Sequence, residues 1–333
     1  WDLYYKSNKY EKICDGTEIR GDGQIIRRGY PIYTQYGVSE NPFGDGNVAA
    51  SALEMIRKHR IDSTNPLFMF AGVLGPHDPY IVPEKFEKMY DINEINLPDN
   101  FYDKMEDKPN LYKRTKEMFS NLSEEEHKKS ILKYLAFCSY EDYLFGEILI
   151  EAQKLEGRTI IMYVSDHGDY MGEHGLWAKG LPCFDSAYHI PLLIYDSSNE
   201  KASLIDEFVT LADITPTLLE TCNIESDRNF SGKSMMPYIN GDFSKIINEN
   251  VFTQSNGNEL YGIQRSVKNK QYKLVYNGFD YDEFYDLETD PGELKNEIKN
   301  PKYEMQIEKM YYSLWEFAYK RKDNCINPYI MVG

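Results

Sequence analysis

Asp166 and His167 stand side by side after the apolar run 159–164, with Gly168 next. A carboxylate beside an imidazole is a ligand pair for a divalent metal. Successive residues of an extended segment point to opposite sides, so both can face one ion only if the backbone bends. Gly168 is placed to let the chain turn sharply. Taken alone, the dipeptide also reads as an Asx-type turn carrying a surface histidine. His77 sits in the stiff loop Gly75-Pro76-His77-Asp78-Pro79-Tyr80, and Lys179 lies thirteen residues beyond Asp166. An ammonium is a point charge suited to an oxyanion, and an imidazole can hold or give a proton near neutral pH. Alone, Lys179 reads as a solvated lysine and His77 as a locally bonded loop histidine. Glu173 and His174 read as orienting their loop, His189 as structural and Cys183 as an ordinary thiol.

The elements around these groups predict an α/β body. Residues 67–74 (Leu-Phe-Met-Phe-Ala-Gly-Val-Leu) are apolar without alternation, as expected of a strand buried on both faces of a parallel sheet. Residues 159–164 and 190–195 read as two more strands. Helices are expected over 47–60, with Asn47 as N-cap, and over 208–222. A long helix follows Ser123 and Glu126, which match a capping box. Its apolar positions Ile131, Leu135, Cys138, Phe145, Leu149 and Ala152 form a stripe, and Asp142 takes the missing beat, where it reads as a loop cap or the partner of a base. From about 245 the pattern changes to short strands over 251–254, 261–267, 272–276 and 284–287, with Asn277-Gly278 as a hairpin signal, and a last helix over 301–321. The fold expected is therefore α/β, a mainly parallel sheet flanked by helices over 1–244, with a small antiparallel α+β subdomain over 245–333. In such sheets ligands bind beyond the carboxyl ends of strands, where His77 and Asp166-His167 fall.

A longer pattern joins these pieces. Residues 165–180, Ser-Asp-His-Gly-Asp-Tyr-Met-Gly-Glu-His-Gly-Leu-Trp-Ala-Lys-Gly, resemble the second signature region of the sulfatase family in the alkaline phosphatase superfamily. Pro76-His77-Asp78-Pro79-Tyr80 resembles its P-H-x-P-Y region. Asp213-Ile214-Thr215-Pro216-Thr217-Leu218-Leu219 is similar to its D-I-x-P-T-L-L helix. Tyr285-Asp286-Leu287-Glu288-Thr289-Asp290-Pro291, with Glu293 and Asn296, resembles a motif of its C-terminal subdomain. The motifs run in family order over 65–300, with a spread like that of iduronate-2-sulfatase-like and choline-sulfatase-like members.

The resemblance implies an alkaline phosphatase/sulfatase-like fold and a sulfuric ester hydrolase. Asp166 and His167 would be two ligands of the active-site metal, with His in place of the Asn of some members. Lys179 would contact the sulfate and the leaving oxygen. His77 would contact the same groups and could act as the acid that protonates the leaving oxygen. The family expectation for the metal is Ca²⁺; hard oxygen ligands also suit Mg²⁺, and a histidine suits a transition ion. The substrate expected is an anionic small molecule or a sulfated sugar. The sequence departs from the family in one respect. The family nucleophile is a formylglycine made in a C/S-x-P-x-R motif near an Asp-Asp pair and a Gly-Lys-x-His segment, and these motifs are absent. Cys14 is followed by Asp15-Gly16-Thr17. The chain thus resembles roughly the C-terminal two-thirds of a sulfatase, and it is expected to be inactive alone and to bind metal weakly. A phosphonate monoester or phosphodiester hydrolase of the superfamily, and a non-catalytic truncated relative, are the alternatives.

Composition narrows the field. The 333 residues suggest roughly two domains. With 41% hydrophobic and 27% charged residues, disordered and collagen-like chains are excluded. Acidic residues outnumber basic ones 54 to 37, giving −17, which opposes nonspecific nucleic-acid binding and requires local cations wherever an anion is bound. No apolar run reaches about 18 residues, so no membrane helix is expected. Five cysteines without a C-x-x-C pair argue against a zinc site or a disulfide framework and slightly favour a cytoplasmic setting. Oligomeric state is open. H-E-x-x-H and phosphate-binding glycine loops do not occur. Tyr102, Tyr112, Phe119, Tyr276, Phe279 and Tyr281 could stack on a sugar or aryl group, but core or interface roles are favoured.

Overall fold

A computed structural model describes residues 25–27, 30–33, 40–62, 64–120, 122–199, 201–257 and 262–323. Cys14 and Cys325 lie outside the described residues, as does Tyr261 of the expected strand 261–267. A short antiparallel hairpin joins β1 (Ile25–Arg27) and β2 (Tyr30–Tyr33). Helix α1 (Asp45–Asp62) starts two residues before the predicted cap. Short α2 (Glu84–Glu87) and α3 (Asn110–Glu117) follow, then the 29-residue α4 (Glu124–Ala152). Its N-terminus has the predicted capping box: the Ser123 hydroxyl accepts the Glu126 N–H and the Glu126 carboxylate accepts the Ser123 N–H. Three consecutive glutamates in the first turn complement the helix dipole.

Helix α4 is the spine of the body. Ala136, Phe137, Tyr140 and Leu144 pack on Ala49 of α1 and on Val82 and Phe86. Ile131 and Leu132 join Tyr80, Phe119 and Trp177 in a second cluster. The buried face is offset by about one residue from the predicted stripe, since Leu135, Cys138 and Phe145 are half-buried. Asp142 is exposed in the middle of α4, outside the core.

The expectation of a mainly parallel sheet is not met among the described residues. Strand β3 (Ile160–Val164) pairs antiparallel with β4 (Leu192–Asp196), Ile160 opposite Asp196 and Val164 opposite Leu192. Between them lies the single turn α5 (Asp185–Tyr188). Residues 67–74 form no ladder, and Phe68, Phe70 and Leu74 are exposed, Phe70 by 88%. An apolar run becomes a strand only where neighbours take its N–H and C=O groups, and no described strand lies alongside this one.

After α6 (Ile214–Thr221) and α7 (Met236–Ile239) comes the predicted antiparallel sheet. Strands β5 (Val251–Ser255), β6 (Gln264–Lys268), β7 (Tyr272–Asn277) and β8 (Glu283–Asp286) lie in sequential order. Helix α8 (Glu304–Lys320) covers one face, setting Ile307, Met310 and Leu314 against Val267, Leu274 and Phe284. Asn277-Gly278 opens a connection of five residues, 278–282, rather than a two-residue turn. The Asp282 carboxylate accepts the Asn277 N–H, which closes this longer loop.

Candidate active site

The Pro76-His77-Asp78-Pro79-Tyr80 loop and the loop after β3 are both backed by α4. Tyr80 meets Tyr134 edge-on with ring centroids 5.3 Å apart, and lies 6.2 Å from Trp177. Residue 80 anchors one loop and residue 177 the other, so a single helix face sets their spacing.

Asp169, which sequence reasoning passed over, locks the two loops together. Its half-buried carboxylate accepts the Tyr80 hydroxyl (2.5 Å) and the N–H groups of Met171 (2.9 Å) and Ala178 (3.1 Å). Burial pushes this carboxyl up to about 6, against the pull of those donors. The signal was present in the sequence as an acid inside one motif and a tyrosine ending the other. Ala178, immediately before Lys179, is held at φ 60, a left-handed conformation that non-glycine residues adopt only when the surroundings impose it.

The four predicted side chains converge. The Lys179 ammonium donates to His77 Nε2. It also lies 3.9 Å from the Asp78 carboxylate. The His77 and His167 rings are 6.1 Å apart. Asp166 adjoins His167 and accepts its N–H at 2.9 Å.

Hydrogen bonding fixes the imidazole tautomers. His77 Nδ1 lies 2.6 Å from the Asp78 carbonyl, which can only accept, so Nδ1 carries the proton and Nε2 is the acceptor for Lys179. The Asp78 carboxylate is 3.1 Å from the same Nδ1. His167 Nδ1 lies 2.9 Å from the Gly168 carbonyl by the same logic, which leaves its Nε2 lone pair free. A histidine whose other nitrogen is tied to a carbonyl is prepared for metal ligation. The Asp166 side chain is 85% exposed and its second oxygen is uncommitted.

Asp166 and His167 therefore fit as ligands, but they are two. Among the described residues no group of three or more His, Cys, Asp or Glu side chains is arranged to hold a metal. A hard cation takes six to eight oxygens, so the pair is a partial set.

Gly168 does not serve as the sharp turn that was expected. It is required by close approach: a Cβ there would stand 2.2 Å from the Ser186 carbonyl oxygen. The Gly168 N–H also donates to the Ala187 carbonyl at 2.8 Å. The glycine thus fixes the Asp166-His167 corner against α5.

His174 is buried and stacked on Phe184 at 3.7 Å, bonded to the Asp103 carboxylate (2.8 Å) and Asn100 (3.2 Å). It holds the loop and does not face the site. Glu173 accepts from the same Asn100 amide at 3.3 Å. His189 is exposed. The buried Cys183 thiol is pushed up to about 12 by desolvation, which makes it unreactive. Tyr112 and Phe119 are core, and Tyr276 packs on Trp315.

Residues 2–224 match the family described as Sulfatase, and residues 172–320 match that described as N-sulphoglucosamine sulphohydrolase, C-terminal. The chain belongs to the sulfatase family. It is 28% identical to the arylsulfatase of Clostridium perfringens over 287 residues, 82% of this chain and 57% of that protein. The chain thus spans little more than half the length of this relative. A solved protein in complex with its substrate D-glucosamine-2-N,6-O-disulfate superposes with a TM-score of 0.72 at 20% identity, covering 84% of this chain and 70% of that one. The phosphonate monoester hydrolase of Agrobacterium radiobacter superposes with 0.73 at 19% identity, covering 86% and 62%. At such identities the superpositions speak for the fold. They identify it as that of the alkaline phosphatase-like sulfatases.

Proposed function

We propose that this sulfatase-family chain carries the leaving-group side of a site that hydrolyses sulfate esters. The observation that supports the reading is the contact of Lys179 with His77 beside the Asp166-His167 corner. Cleavage moves negative charge onto the sulfate oxygens and the leaving oxygen, and fixed cations placed there lower the barrier. Lys179 turns its ammonium from His77 Nε2 to a sulfate oxygen when substrate enters. His77, held through Nδ1 on the Asp78 carbonyl, keeps Nε2 directed at the leaving oxygen. Asp166 and His167 Nε2 would hold the divalent cation, Ca²⁺ by family expectation, which supplies Lewis-acid charge next to the same oxygens. The nucleophile, a formylglycine in the family, is not among these residues, so turnover by the 333-residue chain alone is not expected.

The substrate class we propose is an anionic ester of a sugar or aryl alcohol. A solved neighbour binds a disulfated glucosamine. A mainly parallel sheet belongs to the same proposal: the exposed run 67–74 has the composition of a strand with neighbours on both sides.

The test uses two samples. In the 333-residue chain, titration with inorganic sulfate should perturb the His77 imidazole resonances, and K179A should abolish the perturbation. In a protein that joins these residues to a segment carrying the family's formylglycine motif, K179A and H77A should each lower kcat on aryl sulfate by about 10²–10³-fold. Unchanged activity in either variant would overturn the assignment. The resemblance in fold to a phosphonate monoester hydrolase supports a second reading, and the ratio of rates on sulfate monoesters and phosphonate monoesters separates the two.

A further inference from the structure

Behind the His77 loop lies a pair of buried carboxyl groups that the catalytic reading does not use. Asp45, in the first turn of α1, accepts the N–H of Leu74 with one oxygen (3.0 Å) and the N–H of Gly75 with the other (2.8 Å). The Leu74 carbonyl in turn accepts the N–H of His77 at 3.0 Å. Glu141 of α4 comes to the same Gly75 backbone that Asp45 binds, with Oε1 the nearest atom to a Cβ built there, and its carboxyl interacts with that of Asp45. Both side chains are almost wholly buried, and Glu141 Oε1 has no hydrogen-bond partner. A Cβ on Gly75 would stand 2.2 Å from that oxygen and 2.5 Å from Phe137, so only glycine lets the loop lie this close to α4.

Two charged carboxylates in contact inside a core are mutually destabilising. One proton between them resolves the conflict. Asp45 is the better anion, because two backbone donors bind it. Glu141 is the better acid, because burial and the Asp45 charge both push its carboxyl up, to about 9. Tyr140, Cys138 and Tyr163 are the other titratable groups near the pair, and each is itself raised by burial.

We propose that Glu141, as a neutral acid donating to the Asp45 carboxylate, is a positioning residue: the pair latches the Leu74 and Gly75 amides and thereby fixes the backbone from which His77 reaches Lys179. The role assigned to His77 rests on the sulfate-ester reading, but the latch itself does not. Of the two residues, Asp45 makes the backbone contacts and Glu141 acts through it.

The experiment is amide hydrogen exchange and imidazole NMR on the 333-residue chain. In D45N, the Leu74 and Gly75 amides should exchange about ten-fold faster or more, while amides in the middle of α1 and α4 stay protected. The His77 ring resonances should shift in the same variant. E141Q, whose amide can still donate to Asp45, should keep both amides slow and His77 unmoved; E141A should behave like D45N. Unchanged exchange in D45N, or E141Q as damaging as E141A, overturns the proposal. Should D45N fail to fold, E141Q against E141M still decides, since a purely steric role for Glu141 predicts that methionine, of similar length but without a donor, keeps the amides slow as well. A sulfate titration of the same samples separates the failures: a latch that holds in a chain that ignores sulfate refutes the catalytic reading and leaves the latch standing.

Discussion

Gly168 and Asp169 follow His167 directly, and each makes the corner possible in a different way. Gly168 lets the backbone come against the Ser186 carbonyl, and Asp169 ties three separate donors into one carboxylate. G168A must therefore move either the Asp166-His167 corner or α5. Overpacking of this kind costs about 1–3 kcal/mol, to be read from urea unfolding, and the His167 resonances should shift with it. A G168A variant as stable as the parent would refute the close approach. The tautomers of His77 and His167 follow from bonds to backbone carbonyls, which can only accept. Those partners are adjacent in sequence, yet nothing in the sequence says that the rings fold back onto them.

At the scale of elements, the 100–108 loop holds the motif loop through His174. Burial alone would raise the Asp103 carboxyl; the His174 hydrogen bond and the Lys108 charge outweigh it and hold Asp103 at about 2. The unfolded value is near 3.8. A carboxyl depressed in the folded state adds stability above its unfolded pKa, and this is lost as pH falls through the folded one. The shift corresponds to roughly 2 kcal/mol. D103N should lose about that much at pH 7 and should flatten the decline in stability between pH 4 and 2. A parallel acid limb in parent and variant would count against the linkage. Much of this level was legible. The capping box and the 3.6-residue rhythm predicted α4, because both are local in sequence. The pairing of β3 was not, because an apolar run states that a strand is covered and not which neighbour covers it or in which direction.

Across the whole molecule, the C-terminal sheet is fastened to the body by buried ions. Lys273 of β7 is enclosed and donates to the Cys183 carbonyl, to Glu293 (2.6 Å) and to Asp185 (3.2 Å). Its ammonium is held charged by Glu293 and Asp185 despite burial. Lys268 of β6 bonds the same Asp185. Asp185 opens α5, the turn against which Gly168 packs, so the sheet braces the Asp166-His167 corner from behind. K273M leaves Glu293 buried without its partner and should cost about 3–5 kcal/mol by denaturant unfolding. A loss under about 1 kcal/mol, the value of an exposed pair, would mean the bridge does not fasten the sheet. No described helix is long and apolar enough to cross a membrane. Against a net charge of −17, Lys179 is a cation that the fold brings to His77 across 102 residues of chain.

The sequence by itself determined the family, the four site residues worth joining and the helix that backs them, because motifs and helical periodicity are written in local order. Only tertiary structure decided that His77 touches Lys179, that Asp169 joins their loops, that Gly168 is a contact rather than a turn, and that Asp45 and Glu141 lie together beneath the His77 loop. Each of those depends on distance between segments far apart in the chain, which burial and hydrogen-bond geometry set and residue order does not.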